Sequence, residues 1–234
     1  MYPAIVPDGG RARACGGIDG EDPHPPLWSA DATAAEDGCP HKAAEWTAGM
    51  LVEITPDSHD VDIDLAYATA ENFTGAAIYR RHARCWLHPD TAVLLARAAD
   101  FTRRLGLRLK VLDAFRPAEA QWVLWRHLPD PDYIADPRRG SPHSMGAAVD
   151  VTLVEGRGGP VLDMGTGFDD MRPLSWHGDI IVPVAAQRNR ALLLGLMTAA
   201  GFDFYRNEWW HYQLFKPRGR YPVLSDTVLP EPMM

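Results

Sequence analysis

One short segment constrains this chain more than any other: SPHSMGAAVD, residues 141–150. Its first half carries the Ser, Pro and Gly of a turn, and its second half opens Ala147–Val154 (AAVDVTLV), which reads as a strand. A chain that turns immediately before a strand brings His143 to the strand's edge, facing the same point as Asp150 seven positions on. An imidazole and a carboxylate aimed at one point are good ligands for zinc. The second informative segment is NEWWHYQLF, residues 207–215, which offers Glu208 and His211. The aromatic and apolar content of Trp209–Phe215 predicts a strand. In a regular strand a spacing of three puts side chains on opposite faces. Both residues address one site if Glu208 precedes the strand, if a bulge intervenes, or if the segment is helical instead; the residues leave these alternatives open.

Two histidines, one aspartate and a spare glutamate are the make-up of a catalytic zinc site, in which three protein ligands leave one position open. Glu208 is then suited to act as general base. Either segment alone is weak, since a His near an Asp is commonly a surface or core-edge pair.

Around these segments the chain reads as α+β, a small central antiparallel sheet carrying the metal site with helices flanking it. Met50–Ile54 predicts a short strand, and the alternating VDIDLAYAT runs into a turn at Asn72–Gly75. Pro89–Leu105 predicts a helix with Val93, Leu94, Ala98, Phe101 and Leu105 on its apolar face, Arg103 and Arg104 at its exposed end, and Gly106 as its stop. Leu107–Phe115 alternates like a strand, and Pro117 opens a helix through Trp125. A Gly-rich, hairpin-like stretch follows Val154, and Ala185–Ala200 predicts a helix closed by Gly201.

Residues 1–45 differ: rich in Gly, Pro, Ala and Asp, with apolar residues scattered without period, they predict a flexible or loosely packed leader before a single catalytic domain, residues 46–234. The net charge of -8 disfavours nucleic acid as a partner. No apolar run reaches the roughly 20 residues of a spanning helix, so no membrane partner is expected. The N-terminus lacks the apolar core of a signal peptide, so a cytoplasmic location is expected. Cys15, Cys39 and Cys85 show no CxxC spacing and are expected as reduced thiols. Cys39 and His41 fall in the leader and are not expected to bind metal, and His177 is expected as an exposed loop residue.

SPHSMGAAVD and EWWH, in this order, resemble the metal motifs of the zinc D,D-peptidases, and the chain is most similar to the VanX-type D-alanyl-D-alanine dipeptidases. DIDLAYATAENFTG, VLDAFRP and DMGTGFD carry the same likeness, which runs from about residue 50 to 216. The resemblance implies one zinc per subunit, held by His143, Asp150 and His211, with Glu208 as catalytic base. It implies that Arg116 stabilises the developing oxyanion, the alternative being an ion pair closing a strand end. Tyr67, Ser141 and Asp169 match substrate-contacting residues, Asp169 suiting the ammonium of a free dipeptide. Each has a plainer alternative: core packing for Tyr67, turn formation for Ser141, helix capping for Asp169. The implied substrate is a small D,D-dipeptide such as D-alanyl-D-alanine, cut to free amino acids. Whether its role is glycopeptide resistance or D-alanine recycling, and its oligomeric state, are open. A D,D-carboxypeptidase or peptidoglycan endopeptidase on the same site, and a non-catalytic zinc-binding module, are the competing readings.

Overall fold

The computed structural model describes residues 50–234, so the expected leader, with Cys15, Cys39 and His41, lies outside the described residues. In chain order the elements are β1 (Val52–Ile54), α1 (Pro56–His59), β2 (Asp62–Ile63), β3 (Cys85–Leu87), α2 (Pro89–Arg104), β4 (Arg108–Asp113), α3 (Ala118–His127), β5 (Ala148–Val154), α4 (Val184–Ala200), β6 (Asp203–Phe204) and β7 (His211–Gln213), with 3-10 turns between. The α+β expectation holds. A five-stranded sheet runs β2-β4-β5-β7-β6, and β1 pairs with β3 in a separate two-stranded sheet. The central sheet is antiparallel except at one edge, where β2 runs parallel to β4. Among the described residues no helix is long and apolar enough to cross a membrane.

β5 is the organising strand. All seven of its residues are buried. Val149, Val151 and Leu153 enter the main core, so the intervening Asp150 points to the other face, as period-2 alternation requires. Its longest pairing is with β4, and there the register slips between Val111 and Asp113. This bulge sets Asp113 opposite Asp150. On the other side His211 of β7 lies opposite Asp150. Directly opposed residues share a face, so Asp113, Asp150 and His211 form one row across three strands.

The helix expected over Pro89–Leu105 forms as α2, and its expected face is met in part: Ala98 is buried and Leu94 and Phe101 pack against the core, whereas Val93 and Leu105 do not. Val93 is 60% exposed and Leu105 55%, while Thr91, Ala92, Leu95, Ala98, Ala99 and Thr102 turn inward. Small residues beside Leu95 on that face let the helix approach its neighbours closely, and Val93 and Leu105 are left outside. Strand lengths also fall short of expectation: β1 and β7 have three residues each, and β2 two. Buried Arg108 holds β2 by hydrogen bonds to Asp62 and to the Val61 carbonyl and by its contact with Asp60.

Candidate active site and metal centre

His143 lies in a 3-10 turn, His143–Met145, that Gly146 ends in left-handed backbone at φ +64°. A Cβ on Gly146 would meet Leu51 Cδ2 at 2.5 Å and the His88 amide nitrogen at 2.8 Å. Only glycine therefore lets the turn close against β3, where the Gly146 carbonyl accepts from His88 N–H and Thr91 Oγ1–H. Glu208 sits in a turn ahead of β7, whose first residue is His211. Of the alternatives left open by the spacing, the structure adopts the one in which Glu208 precedes the strand. Trp209 and Trp210 share that turn: both are buried, Trp209 donating from Nε1 to Thr166 and Trp210 lining the pocket.

The turn and the three-strand row converge. His143 Nε2, His211 Nδ1 and Asp150 Oδ1 form a near-equilateral triangle, with sides of 3.1, 3.1 and 3.3 Å. Each ring's other nitrogen already has a partner. His143 Nδ1 lies 2.7 Å from the Ala114 carbonyl, which can only accept, so the proton is on Nδ1. His211 Nε2 lies 3.1 Å from Gln213 Oε1, an acceptor for a proton on that nitrogen. With the ring protons on these outer nitrogens, the three inner atoms present lone pairs to one another, an arrangement that repels unless a cation sits among them. A tetrahedral site with bonds of about 2.0 Å has ligand–ligand edges of about 3.3 Å. The residues fit a divalent metal in both chemistry and spacing, and all three are buried.

The remaining groups surround this centre in a cavity of about 280 Å³, small for a ligand pocket. Glu208 Oε2 is 3.9 Å from His211 Nδ1. Burial first, and then the Asp150 carboxylate, hold Glu208 well above the usual carboxylate range, against the pull of Arg116. Arg116 Nη2 lies 3.6 Å from Asp150 Oδ2, and its guanidinium carbon is 5.0 Å from the centre of the buried Tyr67 ring. Ser141 is buried at the pocket wall, where its Oγ accepts from the His143 amide at 3.3 Å. Asp169 lines the same pocket from left-handed backbone, φ 58°. Its Oδ2 is buried without a hydrogen-bond partner among the described residues, and burial pushes the carboxyl well above its ordinary range. All eight residues singled out in the sequence thus line one pocket.

Residues that sequence reasoning passed over hold these in place. Asp113 is fully buried: Oδ2 accepts from Arg116 Nε at 2.8 Å, and Oδ1 from the Tyr79 hydroxyl at 2.9 Å. Gln121 accepts from Arg116 Nη1 at 3.0 Å and donates to the Ala135 carbonyl at 2.7 Å. Arg190, buried on α4, reaches the Met164 carbonyl at 2.6 Å and the Leu174 carbonyl at 2.8 Å, pinning the loop that carries Asp169. The signal for Asp113 was present, three residues before Arg116 in VLDAFRP, but its importance depends on a bulge that no local pattern announces. His177 is a loop residue as expected but is not exposed. Its ring packs 5.0 Å from Phe204 with Nε2 buried and unpartnered among the described residues, and burial lowers it to about 4.

A family model described as D-ala-D-ala dipeptidase matches residues 48–226. The D-alanyl-D-alanine dipeptidase of Escherichia coli (strain K12) is 46% identical over 176 residues, covering 75% of this chain and 90% of that protein. Proteins of the same name from Streptomyces coelicolor and Enterococcus faecalis are 35% and 31% identical, over 64% and 67% of this chain and 84% and 87% of their own lengths. With a buried metal-capable triad in a small pocket, and with a match of this extent, the chain belongs to the D-ala-D-ala dipeptidase family of peptidases.

Proposed function

We propose that residues 46–234 form one zinc-dependent catalytic domain that hydrolyses D-alanyl-D-alanine, or a similar free D,D-dipeptide, to two amino acids. The observation that carries this reading is the triangle of ligand atoms from His143, Asp150 and His211, each imidazole with its outer nitrogen on an acceptor. Two imidazoles and one carboxylate suit zinc, and three protein ligands are the number found in catalytic sites. Bound there, zinc supplies Lewis acidity and brings the pKa of water toward neutrality.

The chain's own residues do the rest. Glu208 takes the proton of the water whose oxygen attacks the peptide carbonyl carbon, then gives it to the leaving amine as the C–N bond breaks. A carboxyl held above its usual range by burial accepts a proton more readily than an exposed one. Arg116 donates to the carbonyl oxygen as negative charge develops there, and losing such a donor costs roughly 100- to 1,000-fold in rate. Asp169, with its unpartnered oxygen, receives the substrate ammonium, while Tyr67 and Ser141 complete the wall. An acid at the amine end favours a free dipeptide over an acylated stem peptide.

Metal analysis of the purified protein, together with hydrolysis of D-Ala-D-Ala, L-Ala-L-Ala and an N-acylated D,D-peptide, tests this. About one zinc per chain and turnover confined to the free D,D-dipeptide are expected. Preference for the acylated peptide would transfer the site to the carboxypeptidase reading. Bound zinc with no hydrolysis of any of them would make it a binding module.

A further inference from the structure

The pocket wall holds two cations that the reaction above does not use. Arg139 and Arg218 both line the cavity. Arg218 is anchored through Nε, which donates to the Gly140 carbonyl at 2.9 Å. Gly140 precedes Ser141 and sits in left-handed backbone, where a Cβ would meet Val223 at 2.9 Å and Met145 at 3.0 Å. That bond leaves the Nη end of the guanidinium uncommitted among the described residues. Arg139 likewise makes no ion pair among them. The neighbouring carboxylate, Asp136, is taken by Arg138, with contacts of 2.7 and 2.8 Å.

Two guanidinium groups that line one cavity with no ion-pair partner among the described residues repel, in a chain whose net charge is -8. Burial first, and then the charge of Arg139, lower the pKa of Arg218. The charges acting on Asp169 are different: Arg116, Asp150 and Glu208. Along the pocket wall Arg218 is bonded to Gly140, the neighbour of Ser141, whereas Asp169 follows Phe168, whose ring packs 6.0 Å from the Tyr67 ring, so the arginines sit beside Ser141 and the acid beside Tyr67. A dipeptide is a zwitterion whose two residues span at most about 7 Å. It carries one charge for each of these parts.

We propose that Arg139 and Arg218 form the subsite for the C-terminal carboxylate of the substrate, making them specificity-determining residues for dipeptides with a free acid terminus. The assignment rests on the dipeptidase reading of the site. The guanidinium fork presents paired N–H groups to a carboxylate, a geometry that lysine cannot reproduce. Its partial exposure makes the contact sensitive to salt.

The test compares D-Ala-D-Ala with its C-terminal amide in the full chain, for the unaltered protein, Arg139→Gln, Arg218→Gln and the double variant. Both side chains are at the surface, so the variants are expected to fold. In the double variant KM for the free acid should rise about tenfold or more while kcat falls by no more than about threefold. The preference for acid over amide should shrink by a similar factor, and the salt dependence of KM should flatten. Calorimetric binding of D-Ala-D-Ala to Glu208→Gln, with and without the two arginine changes, gives a readout that needs no turnover. An arginine-dependent affinity without hydrolysis in the unaltered protein would retain the subsite and remove the proposed reaction. Normal hydrolysis with KM, affinity and acid-to-amide preference unmoved by the double change would overturn the subsite alone. Absence of both binding and turnover would overturn both.

Discussion

Arg116 meets Asp113 through two nitrogens: Nε and Nη2 each lie 2.8 Å from Asp113 Oδ2. Both residues are buried, and Asp113 reaches this position because the β4 bulge sets it opposite Asp150. A guanidinium held on two of its faces offers its remaining N–H groups to the pocket in a fixed direction, which is what stabilising a transient oxyanion requires. Asp113→Asn removes the charge that orients Arg116 while keeping the shape. The expected outcome is a loss of about 10- to 100-fold in kcat with KM changed much less. Steady-state kinetics on D-Ala-D-Ala read it, and a variant with unaltered kcat would show that Arg116 needs no such orientation.

Gln121 links Arg116 to the pocket-lining Ala135 through one amide. Gln121→Met keeps the volume but leaves two buried polar partners unpaired, at a cost of about 1–3 kcal/mol each at most. Stability and kcat should both fall. Gln121→Glu retains the acceptor for Arg116 but sets a carboxylate against the Ala135 carbonyl, so KM should move more than kcat. Comparing the two kinetic splits distinguishes the roles of the two ends of the side chain.

Gly146→Ala places a Cβ against Leu51 and the His88 backbone at φ +64°. Backbone cannot yield cheaply there, so the turn that presents His143 must shift. A destabilisation of about 2 kcal/mol or more is expected, together with weaker metal retention. Thermal denaturation and metal content measure the two effects separately.

His177 is held neutral, its pKa lowered from 6.5 to about 4 by burial. In the unfolded chain the ring binds a proton as pH falls below 6.5, whereas the folded protein resists until about 4. Stability is therefore present above pH 6.5 and is lost as pH falls toward 4. Between pH 7 and pH 5 this single group accounts for about 2 kcal/mol. His177→Phe preserves packing against Phe204 and Tyr212 and removes the titration. Its Tm should drop less over that interval than that of the unaltered protein, and equal drops would refute the assignment.

The lone pairs of His143, Asp150 and His211 repel without a cation, so the metal should stabilise the folded state. Zinc at 100 times its Kd is worth about 2.7 kcal/mol, or about 5–10 °C in Tm for a domain of this size. Chelation should lower Tm by this amount, and zinc should restore it. In Asp150→Asn, which weakens the ligand set, the difference between chelated and zinc-loaded protein should contract.

Turn residues before an apolar run and histidines at strand margins marked candidate metal ligands and the helices around them, and the resemblance carried by the motifs supplied the full ligand set with Arg116, Tyr67, Ser141 and Asp169. These features are local: a proline opens a helix, a glycine closes it, and period-2 alternation marks a strand whichever way the rest of the chain runs. On α2 the pattern located Leu94, Ala98 and Phe101 but not the buried Thr91, Ala92, Ala99 and Thr102, because small Ala and Thr residues carry a weak hydrophobic signal and are inside where close helix packing selects for size. The position of Glu208, ambiguous by spacing, was decided by where β7 begins, which depends on pairing with β5. Asp113, Gln121 and Arg190 act through partners distant in the chain or through a register slip, and Arg139 and Arg218 gain meaning from the pocket they share. Such relationships arise only when separate segments close upon one another, because a hydrogen bond or a repulsion between charges depends on distance in space and not on distance along the chain.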